Sequence, residues 1–163
     1  MTEIEELQAA IAALTKRLRA LEDQVEITQL VLQYGPAVDS GNAEATAALW
    51  TEDGTFEVIE NLKMNGRDDI RAMVNGGHQN LIANGCGHVL LPPRIVVRGD
   101  EAEGRSYALN LRWEPDIERF WVARVSVNTW KWERTPDGWR ITERVTGNLD
   151  GTAEHRAMFG LDA

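Results

Sequence analysis

Apolar residues at Ile4, Leu7, Ile11, Leu14, Leu18, Leu21 and Val25 recur in alternating steps of three and four, the spacing of a heptad seam on one helix face. Acidic Glu5, Glu6 and Glu22 and basic Lys16, Arg17 and Arg19 flank it. About three heptads make a short coiled coil, so residues 1–25 read as an added amphipathic helix that lies on its own domain or packs against a partner subunit. The helical pattern continues through Ile27, Leu30 and Val31 to Tyr34, where Gly35-Pro36 predicts a break, because proline lacks the helix-forming N–H. Asp39-Ser40-Gly41-Asn42 predicts a turn that caps a short helix over 43–50. Asp53-Gly54 predicts a turn into a strand over 55–59, and Asn65-Gly66 a second hairpin. A helix is predicted over 68–83, weakened by Gly76-Gly77.

From Gly87 the pattern is one of strands: 88–91, 95–97, 105–113, 120–132 and 139–145, with turns at Pro92-Pro93, Gly99-Asp100 and Pro136-Asp137-Gly138. Helices followed by long antiparallel strands predict an α+β fold, a curved sheet with helices on one face. Residues 26–150 would form that domain and 151–163 a C-terminal tail.

The composition narrows the function classes. The 163 residues are enough for one domain with a core of its own. A net charge of −9 argues against nucleic acid as a partner and against docking on an anionic membrane. No apolar run is long enough to cross a bilayer, and no basic-then-apolar leader precedes the first helix, so the expected location is cytoplasmic. A single cysteine, Cys86, excludes an internal disulfide, and three histidines without zinc-motif spacing argue against a metal site. No phosphate loop or dinucleotide fingerprint is present, so no cofactor is implied. Five of six tryptophans fall after residue 100, in the strand half. That placement suits a sheet-borne pocket or interface.

The ordered segments Tyr34-Gly-Pro-Ala-Val-Asp39-Ser-Gly-Asn, Leu49-Trp50-Thr-Glu-Asp53-Gly54, Gly66-Arg67, His88 and Asp137-Gly138-Trp139-Arg-Ile resemble the SnoaL-like branch of the nuclear transport factor 2-like superfamily over residues 25–150. Within it they are most similar to scytalone dehydratase, bile acid 7α-dehydratase and hexachlorocyclohexane dehydrochlorinase. The resemblance implies a cone: a strongly bent mixed sheet wrapped round helices, with a deep pocket at the open end. It also implies a catalytic Asp39–His88 dyad, in which His88 abstracts a proton and Asp39 orients it. From the residues alone, Asp39 is equally a turn or cap residue and His88 a structural histidine.

Tyr34 stands where dehydratases of this branch carry a tyrosine, which favours an oxygen-bearing substrate over a halogenated one. Arg144 is similar to an arginine that assists the leaving group; its other reading is a solvent-facing strand residue paired with a carboxylate. Strand alternation puts Ser106, Ala108, Asn110 and Arg112 on one face of 105–113, and Arg124, Ser126 and Asn128 on one face of 120–132. The residues leave open whether that polar face meets solvent or a pocket. The resemblance turns Asn110, Ser126 and Asn128 to the pocket and makes the apolar face a subunit interface, as in trimeric relatives. Phe56 and Trp50 would supply an aromatic wall. His78 and His155 carry no motif and read as surface or helix-packing residues, and Cys86 is not expected to act as a nucleophile.

The expected function is a cofactor-independent lyase acting on a small hydroxylated aromatic or polycyclic substrate, in a homodimer or homotrimer. Alternatives are a ketosteroid-type isomerase or polyketide cyclase, a non-catalytic small-molecule binding protein, or an accessory subunit of an aromatic-ring dioxygenase.

Overall fold

The computed structural model describes residues 2–160. Helix α1 (Glu3–Asp39) opens with a capping box: Thr2 Oγ1 accepts the Glu5 N–H, and Glu5 returns a bond to the Thr2 N–H. As far as Glu22 it is exposed on every side, and the seven seam residues are 57–67% exposed. From Asp23 the helix is tied down. Asp23 accepts bonds from Arg134 (2.7 Å) and the Trp139 indole (3.2 Å), and Ile27, Val31 and Val38 are fully buried.

The break predicted at Gly35-Pro36 does not occur; α1 runs through Pro36 to Asp39. The missing N–H forfeits one intrahelical bond, while burial of Tyr34, Ala37 and Val38 holds the last turn on the core. The helix ends one turn later. The Gly41 N–H bonds Val38 O and the Asn42 N–H bonds Ala37 O, with Gly41 at φ +70°, a glycine-terminated cap. Asn42 then caps α2 (Ala43–Ala47), which stops short of the predicted Trp50.

Strand β1 (Trp50–Val58) begins five residues earlier than predicted, so Asp53-Gly54 is a bulge inside a strand. A Cβ at Gly54 would lie 2.7 Å from Ile141 O, which is why glycine occupies the bulge. Asn65-Gly66 is not a hairpin turn. It joins β2 (Leu62–Asn65) to α3 (Gly66–Asn75), and Gly66 has φ +82°. The single helix predicted over 68–83 is two, α3 and α4 (His78–Ala83), divided at Gly76-Gly77.

The remaining strands are β3 (Cys86–Leu90), β4 (Arg94–Arg98), β5 (Glu101–Glu114), β6 (Arg119–Thr135) and β7 (Gly138–Asn148). The sheet order is β2-β1-β7-β6-β5-β3, with β4 also on β5. Among the described residues, only β1–β7 is parallel. The result is a mixed, strongly curled, unclosed sheet around the helices. Trp50, Trp130, Trp132 and Trp139 fill the core with Ile27, Ile70, Val74 and Ile141.

The sheet resolves the two readings of the alternation. Ser106, Ala108, Asn110, Ser126 and Asn128 face inward and are buried, while Tyr107 and Val125 lie on the exposed outer face. The far end of the β5–β6 hairpin exposes Phe120, Trp121 and Val122. The C-terminal segment is more than a tail. Helix α5 (Ala153–Ala157) packs His155 against Gly147 on that outer face, and His155 Nδ1 donates to Asn148 O (2.7 Å). His155 is therefore buried, the helix-packing one of its two readings. Residues 161–163 of the predicted tail lie outside the described residues.

Candidate active site

The last turn of α1 and the strand β3 bring Asp39 and His88 together. Asp39 Oδ2 accepts the His88 backbone N–H (2.7 Å), and Asp39 Oδ1 lies 2.6 Å from His88 Nδ1. One residue thus grips the carboxylate through both its backbone and its ring. A proton on Nδ1, held toward the carboxylate, leaves Nε2 as the free base. Cys86 Sγ donates weakly to the same Oδ1 at 3.6 Å.

Burial pushes the Asp39 carboxyl up, but the hydrogen bonds and charge of His88 outweigh it and hold the group below its ordinary 3.8. A carboxyl depressed on folding adds stability above its ordinary value and loses it as pH falls through the folded value. Urea denaturation of the wild type from neutral pH to about pH 3 is expected to show this acid limb. Asp39→Asn is expected to flatten it, and equal slopes would mean that Asp39 is not held by His88.

His88 lines a cavity of about 480 Å³. Phe56, Val58, Met64, Met73 and Leu81 give it an apolar wall, and His78, Asn110, Arg112, Arg124 and Arg144 supply its polar groups. Tyr34 also lines it, its ring edge-on to His88 with centroids 6.2 Å apart. Burial raises the Tyr34 phenol above its usual range, and the Arg144 charge opposes this in part.

Arg144 is buried among three rings, with Cζ 4.4 Å from the Tyr34 and Phe56 centroids and 4.7 Å from Trp130. Its Nε donates to Asn128 Oδ1 (3.0 Å), and Nη1 has no partner. Burial lowers its pKa to about 10, which leaves it cationic at neutral pH. It is not a solvent-facing residue paired with a carboxylate: among the described residues, none pairs with it.

The structure moves three predicted substrate contacts off the cavity wall. Trp50 is fully buried, stacked on Phe56 at 5.9 Å. Ser126 and Asn128 are fully buried and do not line the cavity. Asn128 instead positions Arg144 and also accepts from Thr146 Oγ1 (2.6 Å). Phe56 and Asn110 do line the cavity.

The structure adds three residues. His78, at the start of α4, is buried with its ring centroid 5.0 Å from that of His88. It lines the cavity beside His88 and is not a surface residue. Burial, then the neighbouring His88 charge, lowers its pKa below 6.5. Arg112 and Arg124 share the inner face with Asn110, so strand alternation was the signal for them. Nothing in the sequence around His78 marked it.

Asp39, His78, Cys86 and His88 also bring donor atoms within 4.8 Å of one another, a set that sequence spacing alone did not reveal. Oxygen, nitrogen and sulfur donors of this kind suit zinc. An ion bound through His88 Nδ1 would take the place of the proton held between that nitrogen and Asp39.

A curled, open sheet around helices, with an Asp–His pair beside its cavity, defines a class of small α+β proteins, and sequence comparison places the chain within it. The chain belongs to the SnoaL-like domain family, whose profile matches residues 19–145. An NTF2-like protein with a cystatin-like fold from Novosphingobium aromaticivorans is 42% identical, with TM-score 0.86, covering 92% of this chain and 96% of that one. A candidate aromatic ring hydroxylase from the same organism is 26% identical, with TM-score 0.66, covering 79% and 90%. A candidate scytalone dehydratase from that organism is 20% identical, with TM-score 0.67, covering 80% and 86%, a likeness of fold. No curated protein matches the chain. Family members are often enzymes such as polyketide cyclases or dehydratases, and the fold suits cofactor-free chemistry of that kind. No described helix is long and apolar enough to cross a membrane.

Proposed function

We propose that this protein is a cofactor-independent lyase that removes water from a hydroxylated aromatic or polycyclic substrate. The observation that carries the reading is the 2.6 Å Asp39–His88 pair beside a cavity with a caged arginine. His88 Nε2 takes a proton from carbon, and Asp39 stabilises the imidazolium. The C–H electron pair forms the C=C bond, and the C–O bond breaks. The departing oxygen takes a proton and leaves as water. Arg144, with Tyr34 beside it, stabilises negative charge that builds on substrate oxygen during the transfer. His78 lies next to His88 and is placed to relay the proton to the leaving oxygen.

The same equipment returns the proton to a different carbon if no leaving group is present, which is an isomerisation. A panel of hydroxylated tetralones, with and without a ring carboxylate, in deuterated buffer separates the outcomes by mass spectrometry. Loss of water with a naphthol product is expected. Deuterium uptake without loss of water would assign an isomerase. Neither change across the panel would remove the catalytic reading and favour a binding protein.

A further inference from the structure

We propose that the substrate carries a carboxylate and that Arg112 and Arg124 bind it. This deepens the lyase reading by naming a chemical class of substrate for the same cavity. Three arginines line that cavity, Arg112, Arg124 and Arg144, and among the described residues no acidic one does. Elsewhere four arginines pair with carboxylates: Arg67 with Glu52, Arg71 with Glu44 and Asp68, Arg98 with Glu103, and Arg134 with Asp23 and Asp100. The chain has 26 acidic against 17 basic residues, so the lack of acids in the cavity is not a shortage of acids overall. Among the described residues, none of the three cavity arginines has an ionic partner.

The neutral contacts are thin. Arg124 forks onto Asn110 Oδ1 at 3.3 and 3.4 Å, and Arg112 Nη1 donates to the Leu111 carbonyl. Guanidinium groups withdrawn from water without a counter-charge are costly. A bound carboxylate supplies that charge and fits the guanidinium fork. The half-buried Arg112 and Arg124 would take it, leaving the fully buried Arg144 for oxygen at the reacting centre. The apolar wall takes the ring system.

Calorimetric titration with naphthoate and its neutral analogue naphthamide tests this. Naphthoate is expected to bind at least about tenfold tighter, a difference of about 1.4 kcal/mol. Arg112→Gln and Arg124→Gln, both at half-buried positions, are expected to erase the preference by weakening naphthoate at least about tenfold more than naphthamide. Equal or weaker binding of naphthoate, or a preference that survives both substitutions, overturns the proposal. The probes do not react, so His88→Ala is expected to keep the preference. Loss of the preference therefore counts against the substrate class and not against the dyad.

A separate observation carries a second inference: the geometry points to a parallel two-stranded coiled coil between the N-terminal helices of two copies. With Ile4 at position a of the heptad, Ile4, Ile11, Leu18 and Val25 occupy a, and Leu7, Leu14 and Leu21 occupy d. These residues are 57–67% exposed. Three of the four a residues, Ile4, Ile11 and Val25, are β-branched, and β-branched residues at a with leucine at d favour two strands. In parallel register Arg17 (g) meets Glu22 (e) of the second copy, an attractive pair. Oxidation of Leu7→Cys is expected to cross-link copies, because d meets d across the seam. Ala9→Cys, on the opposite face at f, is expected not to. Equal cross-linking of both variants, or of neither, overturns the coiled coil. An antiparallel pair would also leave Leu7→Cys uncrosslinked.

Discussion

Alanine in place of His88 is expected to lower turnover by about 10²–10⁴-fold, the usual contribution of a positioned general base. The fold should survive. Asp39 Oδ2 is held by the backbone N–H of residue 88, which alanine retains, and the ring borders an open cavity rather than the packed core. Asp39→Asn is expected to be at least as damaging, by a different route. An asparagine amide can turn its N–H toward His88 Nδ1, which puts the imidazole proton on Nε2. The nitrogen facing the substrate is then no longer a base, and a wrong tautomer of this kind costs about 10⁴. Single-turnover rates beside circular dichroism read chemistry and fold separately. Native spectra with unchanged rates in both variants would remove the dyad from the mechanism.

That pair was legible in the sequence only through the resemblance. Asp39 sits in a turn-like stretch and His88 stands alone, 49 residues away, so no local pattern joins them. Their meeting depends on α1 running straight through Pro36. The local rule for proline predicts a break there, and tertiary burial of the last turn overrides it. Arg144 was legible by the same resemblance, and Asn110 by the resemblance together with strand alternation.

The period of two does not distinguish a solvated polar face from one lining a cavity, because both alternate alike. It also does not give depth. Asn128 and Ser126 share a face with Arg124 but lie below the cavity wall, so alternation could not separate positioning residues from contact residues. His78 was hidden for another reason. It follows the Gly76-Gly77 break, and its approach to His88 brings α4 against β3, which no sequence period encodes.

A methyl group at position 35 is expected to damage stability and turnover together. Gly35 lies on the face of α1 that packs against β3, and a Cβ there would run into the His88 carbonyl oxygen. The obstacle is backbone in a paired strand, so it cannot rotate away as a side chain would; helix and strand must separate. Overpacking of this kind costs about 1–3 kcal/mol, occasionally more. For a chain of this size that lowers Tm by roughly 2–4 °C per kcal/mol. Asp39 is one turn further along the same helix, so the separation also stretches its 2.6 and 2.7 Å bonds to His88. Turnover should therefore fall further than the loss of folded protein explains. Gly87→Ala is the matched control. It lies next to His88 in the same strand, and its added Cβ meets only Leu111, at an ordinary 3.8 Å. Gly87→Ala is expected to keep both Tm and rate, and Gly35→Ala to lose both. If Gly35→Ala keeps its rate, the close approach of helix and strand is not what sets the Asp39–His88 distance.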